Sequence, residues 1–343
     1  MSVLSRPRLT ALVAAALGAA VAILVDMPLP LMLGPMLACL VFALAGARLQ
    51  DVGILGTLMR TVLGVAIGST ITPQLLHDLP AYGPTLAAIP AFIVVMGGLG
   101  YLFFRRFYDF DHPTAFYSAM PGGLQDMLIF GSEAGGDVRA ISLIHATRVL
   151  ILVVLAPFAI THWFGLDLTG APGAPARDLP PHEIAIMVVA GLVGWKVAAR
   201  LKLFGASIIG PMILTAILSL TDVIHSRPPA EMILAAQFFI GLSIGAQYTG
   251  ITTRELRVDV GAGLALSALL MVLSAGAIAT LLVVSSKAPL DIILAFLPGG
   301  QAEMTVLAIV AGADVAFVVA HHLARISLII LLAPVVARLV ARE

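Results

Sequence analysis

Two sets of polar residues sit inside otherwise apolar sequence, at equivalent places. One is Pro121-Gly122-Gly123-Leu124-Gln125-Asp126 and the other Pro298-Gly299-Gly300-Gln301-Ala302-Glu303. Pro-Gly-Gly cannot continue an ordinary helix, and paired glycines let the chain turn tightly or let a ligand or facing helix come close. A helix that restarts after such a break exposes unpaired N–H groups and its positive dipole end. That is an anion or carboxylate site. Pro121, Gly122, Gly123, Asp126, Pro298, Gly299, Gly300 and Glu303 are therefore candidate substrate-binding residues. Asp126 and Glu303 are also candidate proton carriers, with plain capping of the restarted helix as the alternative.

A second twin set follows. Asp137, Ile141, His145 and Arg148 share one helical face, and Asp314, Val318, His322 and Arg325 repeat the pattern. Arg148 and Arg325 lie about 16 Å into their helices at ~1.5 Å per residue. A guanidinium at that depth needs Asp126, Glu303, exposed carbonyls or an anionic substrate. Both arginines are assigned to substrate binding. His145 and His322 can relay protons or stay neutral on a backbone carbonyl. Asp137 and Asp314 follow Gly-Gly and Gly-Ala and read as N-caps. His321 and His322 diverge by about 100° on a helix and do not chelate as i, i+4 histidines would. No catalytic residue, metal site or cofactor is expected, and no Walker-type phosphate loop occurs.

The elements that must hold these residues form a repeat. Gly34-Pro35-Met36 recurs as Gly210-Pro211-Met212, Gly64-xxx-Gly68 as Gly241-xxx-Gly245, and Met127, His145 and Arg148 as Met304, His322 and Arg325, at offsets of 176 to 177 residues. Each copy predicts five apolar helices, near 9–25, 31–47, 53–72, 84–104 and 137–163, then 184–201, 206–221, 232–250, 261–284 and 314–338. A broken element lies before each fifth helix, at 113–135 and 289–312. The chain divides into a first membrane repeat (1–163), a Pro-rich linker (164–182) and a second membrane repeat (183–343). Only 11% of the 343 residues are charged, against about a quarter in soluble domains, which excludes a water-soluble enzyme. Charge balance at 19 of each sign gives no field toward nucleic acid. One cysteine permits no intrachain disulfide. The apolar start after Arg6 and Arg8 lacks a small-residue cleavage site and reads as a retained first helix.

Each leg of the broken element reaches roughly the middle of a ~30 Å apolar core, so it reads as a re-entrant hairpin. Five crossings per copy, N-terminus inside, put thirteen cationic residues, from Arg6 to Arg342, on the cytoplasmic side and only Arg177, Arg227 and Lys287 outside. Six crossings per copy spread them more evenly. The expected fold is an all-α membrane protein: two inverted repeats of five transmembrane helices plus one re-entrant broken hairpin each.

Pro28-Leu29-Pro30-Leu31-Met32-Leu33-Gly34-Pro35-Met36 and the twin Pro-Gly-Gly-x-x-(Asp/Glu)-Met motifs resemble the AbrB-duplication family of bacterial inner-membrane proteins, over essentially the whole chain. The second copy departs from the first motif with Gly205-Ala206-Ser207-Ile208-Ile209-Gly210-Pro211. The resemblance implies a multi-pass protein of the bacterial inner membrane, of transporter type; the charge count puts both termini on the cytoplasmic side. The family is named for regulation of gene expression or as an ammonia monooxygenase, and it is distinct from the soluble DNA-binding regulator of the same name. The expected function is a secondary transporter of a small anionic or zwitterionic organic solute coupled to H⁺ or Na⁺. The alternative is a membrane-embedded sensor acting in gene regulation without direct DNA binding. Expected partners are the lipid bilayer, the solute and the coupling ion, with no nucleic acid; a homodimer stays open.

Overall fold

The structure, a computed structural model, describes residues 5–73, 79–203 and 205–341; Arg342 lies outside them. Among the described residues the chain is helical and carries no strand. The principal helices are α1 (Arg6–Leu24), α2 (Pro30–Leu44), α3 (Ile54–Gly68), α4 (Ile89–Phe107), α5 (His112–Ala119), α6 (Leu124–Glu133) and α7 (Val138–Phe164). They are followed by α8 (Pro181–Arg200), α9 (Ala206–Leu220), α10 (Ala230–Ala246), α11 (Gly261–Val284), α12 (Pro289–Phe296), α13 (Gln301–Ala311) and α14 (Val315–Val340). The third helix stops at Gly68, four residues short of the expected 72. The fourth is preceded by a separate turn, Gly83–Ala87.

Among the described residues, six helical stretches are long and apolar enough to cross a membrane: Arg6–Leu24, Pro80–Phe107, Val138–Phe164, Pro181–Arg200, Thr253–Val284 and Val315–Val340. Their side-chain distribution suits lipid. Helix α1 buries Ala11, Ala14, Ala15, Ala19 and Ala22 and exposes Leu17, Val21 and Leu24. Small residues inward and large apolar residues outward is how helices associate where lipid removes the hydrophobic drive.

The chain separates into two compact units, each drawing on both sequence copies. Unit 1 comprises residues 1–80, 156–250 and 305–316; unit 2 comprises 81–155, 251–304 and 317–343.

Unit 1 is built on backbone-to-backbone approach. Helix α1 packs on α2 and α8 on α9, while α10 lies on α2 and α9 on α3. A Cβ on Gly34 would stand 2.4 Å from the Gly18 carbonyl oxygen, and one on Gly194 2.6 Å from that of Gly210. Across the copies, a Cβ on Gly68 would fall 2.5 Å from the Met212 oxygen and one on Gly245 2.4 Å from that of Met36. The Gly-xxx-Gly pairs of α3 and α10 therefore let each helix press on a helix of the other copy. The departure in the second motif has a backbone explanation. Leu29 (φ 47°) and Gly205 (φ 57°) both enter the following helix from the left-handed region. Glycine adopts this without strain, whereas leucine is strained there by roughly 1–2 kcal/mol. The buried Leu29 is held there by its N–H donating to the Leu168 oxygen at 3.0 Å.

One polar brace ties the α9–α10 connection to the start of α8. The buried Glu183 accepts from the backbone N–H of His225 (3.2 Å) and Ser226 (2.9 Å). The His225 ring stands between Asp222 (3.0 Å) and Glu183 (3.4 Å).

In unit 2, α5 packs on α4 and α6, and α11 packs on α4 and α12. The His112 ring donates from Nε2 to the Ala337 oxygen at 2.9 Å and accepts the Tyr101 hydroxyl at Nδ1, also at 2.9 Å. This ties the start of α5 to the end of α14. Phe116, Tyr117, Met120, Met127, Ile141 and Ile329 form the apolar core beneath.

Two outcomes test this packing. Gly34→Ala and Gly210→Ala should each destabilise the chain by about 1–3 kcal/mol, since the methyl meets backbone that cannot yield. Gly98→Ala, facing open space, should hold or raise the melting temperature. Hydrogen bonds to Asp222 and then Glu183 raise the His225 pKa. A raised folded value means the brace is complete below the ordinary histidine range near 6.5 and is lost as pH rises through the folded value. Hydrogen exchange of residues 221–229 should therefore speed up with rising pH beyond its intrinsic base dependence, and His225→Gln should abolish that excess.

Candidate functional site

Each broken element is two short helices joined by an extended step. Helix α5 ends at Ala119, Met120 is extended (φ −64°, ψ 129°), and Gly123 is extended before α6 (φ −71°, ψ 138°). The second copy repeats this: α12 ends at Phe296 and Leu297 is extended (φ −65°, ψ 132°). The tip glycines do not take the left-handed conformation. Gly122 and Gly299 are needed for contact. A Cβ at Gly122 would touch the Met127 side chain at 3.0 Å, and one at Gly299 that of Met304 at 2.8 Å. The methionines that recur after both motifs thus fill the space under each tip.

Ending a helix inside the protein leaves its last carbonyls without intrahelical donors. Two side chains on the following long helix supply them. Arg148 on α7 donates from Nη1 to the Met120 oxygen (3.2 Å) and from Nη2 to the Gly122 oxygen (3.1 Å). Arg325 on α14 donates to the Leu297 and Gly299 oxygens at the same two distances. His145 donates from Nε2 to the Tyr117 oxygen and His322 to the Leu294 oxygen, both at 2.9 Å. A carbonyl oxygen only accepts, so each ring carries its proton on Nε2. Each of the three bonds in the first copy recurs 177 residues on. The planar fork reaches two carbonyls at once, and its charge sits at the negative end of α5 or α12. Of the partners open to the arginines, the structure selects the tip carbonyls.

The copies differ beyond the clamp. The Nδ1 of His322 receives Arg325 Nη2 at 3.0 Å, whereas the buried Nδ1 of His145 has no partner. Glu303 turns back on its own tip, so that a Cβ on Gly300 would collide with its carboxylate. Asp126 is equally buried, yet its Oδ2 has no hydrogen-bond partner among the described residues. The Nε atoms of Arg148 and Arg325 are also buried without a partner. Electrostatically, Glu303 acts on Arg148 and the two guanidinium groups act on each other.

Asp137 is an N-cap. Its Oδ1 accepts from the N–H groups of Arg139 (2.9 Å) and Ala140 (3.0 Å), and its own N–H donates to Thr114 Oγ1 at 2.8 Å. This fixes the start of α7 to α5 and sets the depth at which His145 and Arg148 meet the tip. Sequence reasoning did not single out the two carbonyls above each arginine, or Thr114. A signal was present, because each His-xx-Arg pair trails its Pro-Gly-Gly by the same number of residues in both copies.

Replacing Arg148 or Arg325 by lysine keeps the charge but loses the two-carbonyl reach. Each substitution should destabilise the protein by about 1–3 kcal/mol through one unsatisfied buried carbonyl. It should also raise the reactivity of a cysteine placed at Gly123. Unchanged melting and unchanged reactivity would show that the clamp does not hold the tip.

Comparison with known proteins agrees with the whole-chain motif pattern. A protein of Escherichia coli (strain K12) named as a candidate regulator, AbrB, is 26% identical over 327 residues, covering 92% of this chain and 91% of that protein. The Bacillus subtilis (strain 168) protein YhjN, whose name assigns no activity, is 28% identical over 300 residues, covering 82% of this chain and 77% of its own length. The family described as Transition state regulatory protein AbrB matches residues 31–341. Twin clamped tips and a match across nearly the whole length lead to one statement of identity: this chain belongs to the AbrB family.

Proposed function

We propose that this protein is a secondary transporter of a small anionic or zwitterionic organic solute, coupled to H⁺ or Na⁺. The observation that carries the reading is the pair of interrupted helices, each with a half-buried restart beside a buried acid and a buried arginine. Interrupted helices that face each other from two sequence repeats are the usual way a transporter builds a solute site. The solute would bind at the restarts of α6 and α13, against Pro121, Gly122, Gly123 and Asp126 and against Pro298, Gly299, Gly300 and Glu303. The N–H groups of a helix's first turn favour a carboxylate or similar anion. Arg148 and Arg325 would hold the tips open to it and supply positive potential, while Asp126, Glu303, His145 and His322 remain the groups for proton exchange. The chemistry is binding and release, with no bond made or broken, so the protein is not an enzyme.

The topology that goes with this function is ten crossings in two inverted repeats, 1–163 and 183–343 around the linker 164–182, with a re-entrant hairpin in each. It has both termini on the cytoplasmic side of the bacterial inner membrane. Helices α2, α3, α9 and α10, at 15 to 17 residues, are short for a ~30 Å core. Local thinning of the bilayer and packing within unit 1 make short spans workable. The second reading, a membrane sensor acting in gene regulation without touching DNA, draws its support from the name of the Escherichia coli relative.

The test is a solute screen by thermal stabilisation of the purified full chain, followed by uptake into liposomes. At least one anionic or zwitterionic solute should raise the melting temperature and accumulate. A cysteine scan should label 164–182 from outside and Lys196–Lys202 from inside; labelling of 164–182 from the cytoplasmic side only would refute the inverted arrangement. Binding of a solute without any uptake would favour the sensor.

A further inference from the structure

We infer that the tip arginines fill the carbonyl seats an inorganic coupling cation would need, and that the coupling ion is the proton, carried by Asp126. The inference deepens the transporter reading and rests on it.

Transporters with interrupted helices bind Na⁺ through carbonyls freed where the helix unwinds and through half-helix C-terminal ends. Here those oxygens are engaged in both copies. Arg148 takes Met120 and Gly122, and Arg325 takes Leu297 and Gly299. His145 takes Tyr117 and His322 takes Leu294. The Gly123 oxygen accepts from the Met127 N–H at 3.1 Å and the Gly300 oxygen from that of Met304 at 3.0 Å. A guanidinium already seated on the carbonyls is a fixed cation, and a second cation beside it is repelled. The protein's own guanidinium occupies these carbonyls in each copy.

A proton needs one group that can gain and lose it without dismantling the tip. Both ring nitrogens of His322 are engaged. His145 holds the Tyr117 carbonyl, and a second ring proton would place a cation three residues from Arg148. Glu303 is folded against its own tip and acts on Arg148. Asp126 differs from all three. Its Oδ2 is buried and without a partner, and a buried acceptor with no donor is costly in its charged form. The titratable groups on the elements around it are His112 and Tyr117 on α5, Arg139, His145, Arg148 and His162 on α7, Glu303 on α13, His321, His322, Arg325 and Arg338 on α14, and Glu133 on its own helix. Both buried arginines already have backbone partners, and Glu133 and Arg338 are exposed. The shorter acid of the twin pair thus exchanges the proton, and the longer one is part of the scaffold.

Two measurements on the purified full chain test this before any solute is known. The first compares melting in sodium chloride and in choline chloride at equal ionic strength. No sodium-specific shift is expected, and a saturable sodium-specific rise overturns the inference. The second follows the carboxylic-acid infrared band as pH is stepped through roughly 4 to 9, across the range in which carboxyl groups and their upshifted forms titrate. The titrating band should disappear in Asp126→Asn and persist in Glu303→Gln. Should Asp126→Asn fail to fold, ¹³C-aspartate labelling of the unaltered protein should move the band and ¹³C-glutamate labelling should not. A band that follows Glu303, or no band at all, overturns the assignment. Failure of every solute to accumulate would sink the transporter reading while leaving Asp126 protonation readable on its own.

Discussion

A helix that stops inside an apolar interior must find donors for its last carbonyls, and the rest of this structure is arranged around that requirement. Both α5 and α12 stop in this way, and no water need reach them, because one arginine and one histidine of the next long helix do the work. An orphaned buried carbonyl costs about 1–3 kcal/mol, and each tip has three that these two residues satisfy. The arginine also solves its own problem, since a buried guanidinium is tolerable only when its N–H groups are engaged. Neither group could be buried alone; together they make a break at depth stable.

The depth of the clamp depends on where the long helix begins, and that is set by Asp137. Its cap and its N–H to Thr114 join the start of α7 to the first turn of α5. From that joint, helical rise alone carries His145 to the height of Tyr117 and Arg148 to the height of Met120 and Gly122. The two units solve unlike problems by unlike means. Unit 2 breaks helices and repairs the breaks with charge-assisted hydrogen bonds. Unit 1 keeps its helices whole and brings backbones together at glycines, where dispersion over a close contact replaces the hydrophobic drive that lipid removes.

Much of this was legible in the sequence because a duplication reports which residues the backbone needs. Gly-Pro-Met, Gly-xxx-Gly, Pro-Gly-Gly and His-xx-Arg recur in register, and each proves to meet a backbone constraint. Helix type was readable from apolar runs, and the break from Pro-Gly-Gly. The arginine's partner was not, because carboxylates and carbonyls are equally good acceptors on paper and only the fold decides which comes within 3.2 Å. The interleaving of the copies was also illegible. Gly64 gives no sign in its own neighbourhood that it meets Ile208 and Pro211 of the other copy. The end of α3 at Gly68 escaped for a local reason: Ser69 and Thr70 turn their hydroxyls back onto Ala66 and Ile67, a competition that apolar periodicity does not register.

Where the copies differ is as informative as where they agree. The histidine and arginine that clamp the tip are retained in both, since losing either arginine would reopen a buried carbonyl. Other equivalent positions diverge: Asp126 against Glu303, Arg60 against Gln237, Leu29 against Gly205. One methylene separates Asp126 from Glu303, and it decides reach. The longer acid folds back to its own tip, while the shorter one leaves an oxygen unpartnered in the interior. Two identical acids would have offered two coupled proton seats, because a proton on one changes the charge the other feels. In the proposed proton coupling, the acid folded on its own tip stays in the scaffold and the acid with an unpartnered oxygen is the single seat. A symmetric scaffold with one asymmetric titrating group is therefore the arrangement that lets one proton count.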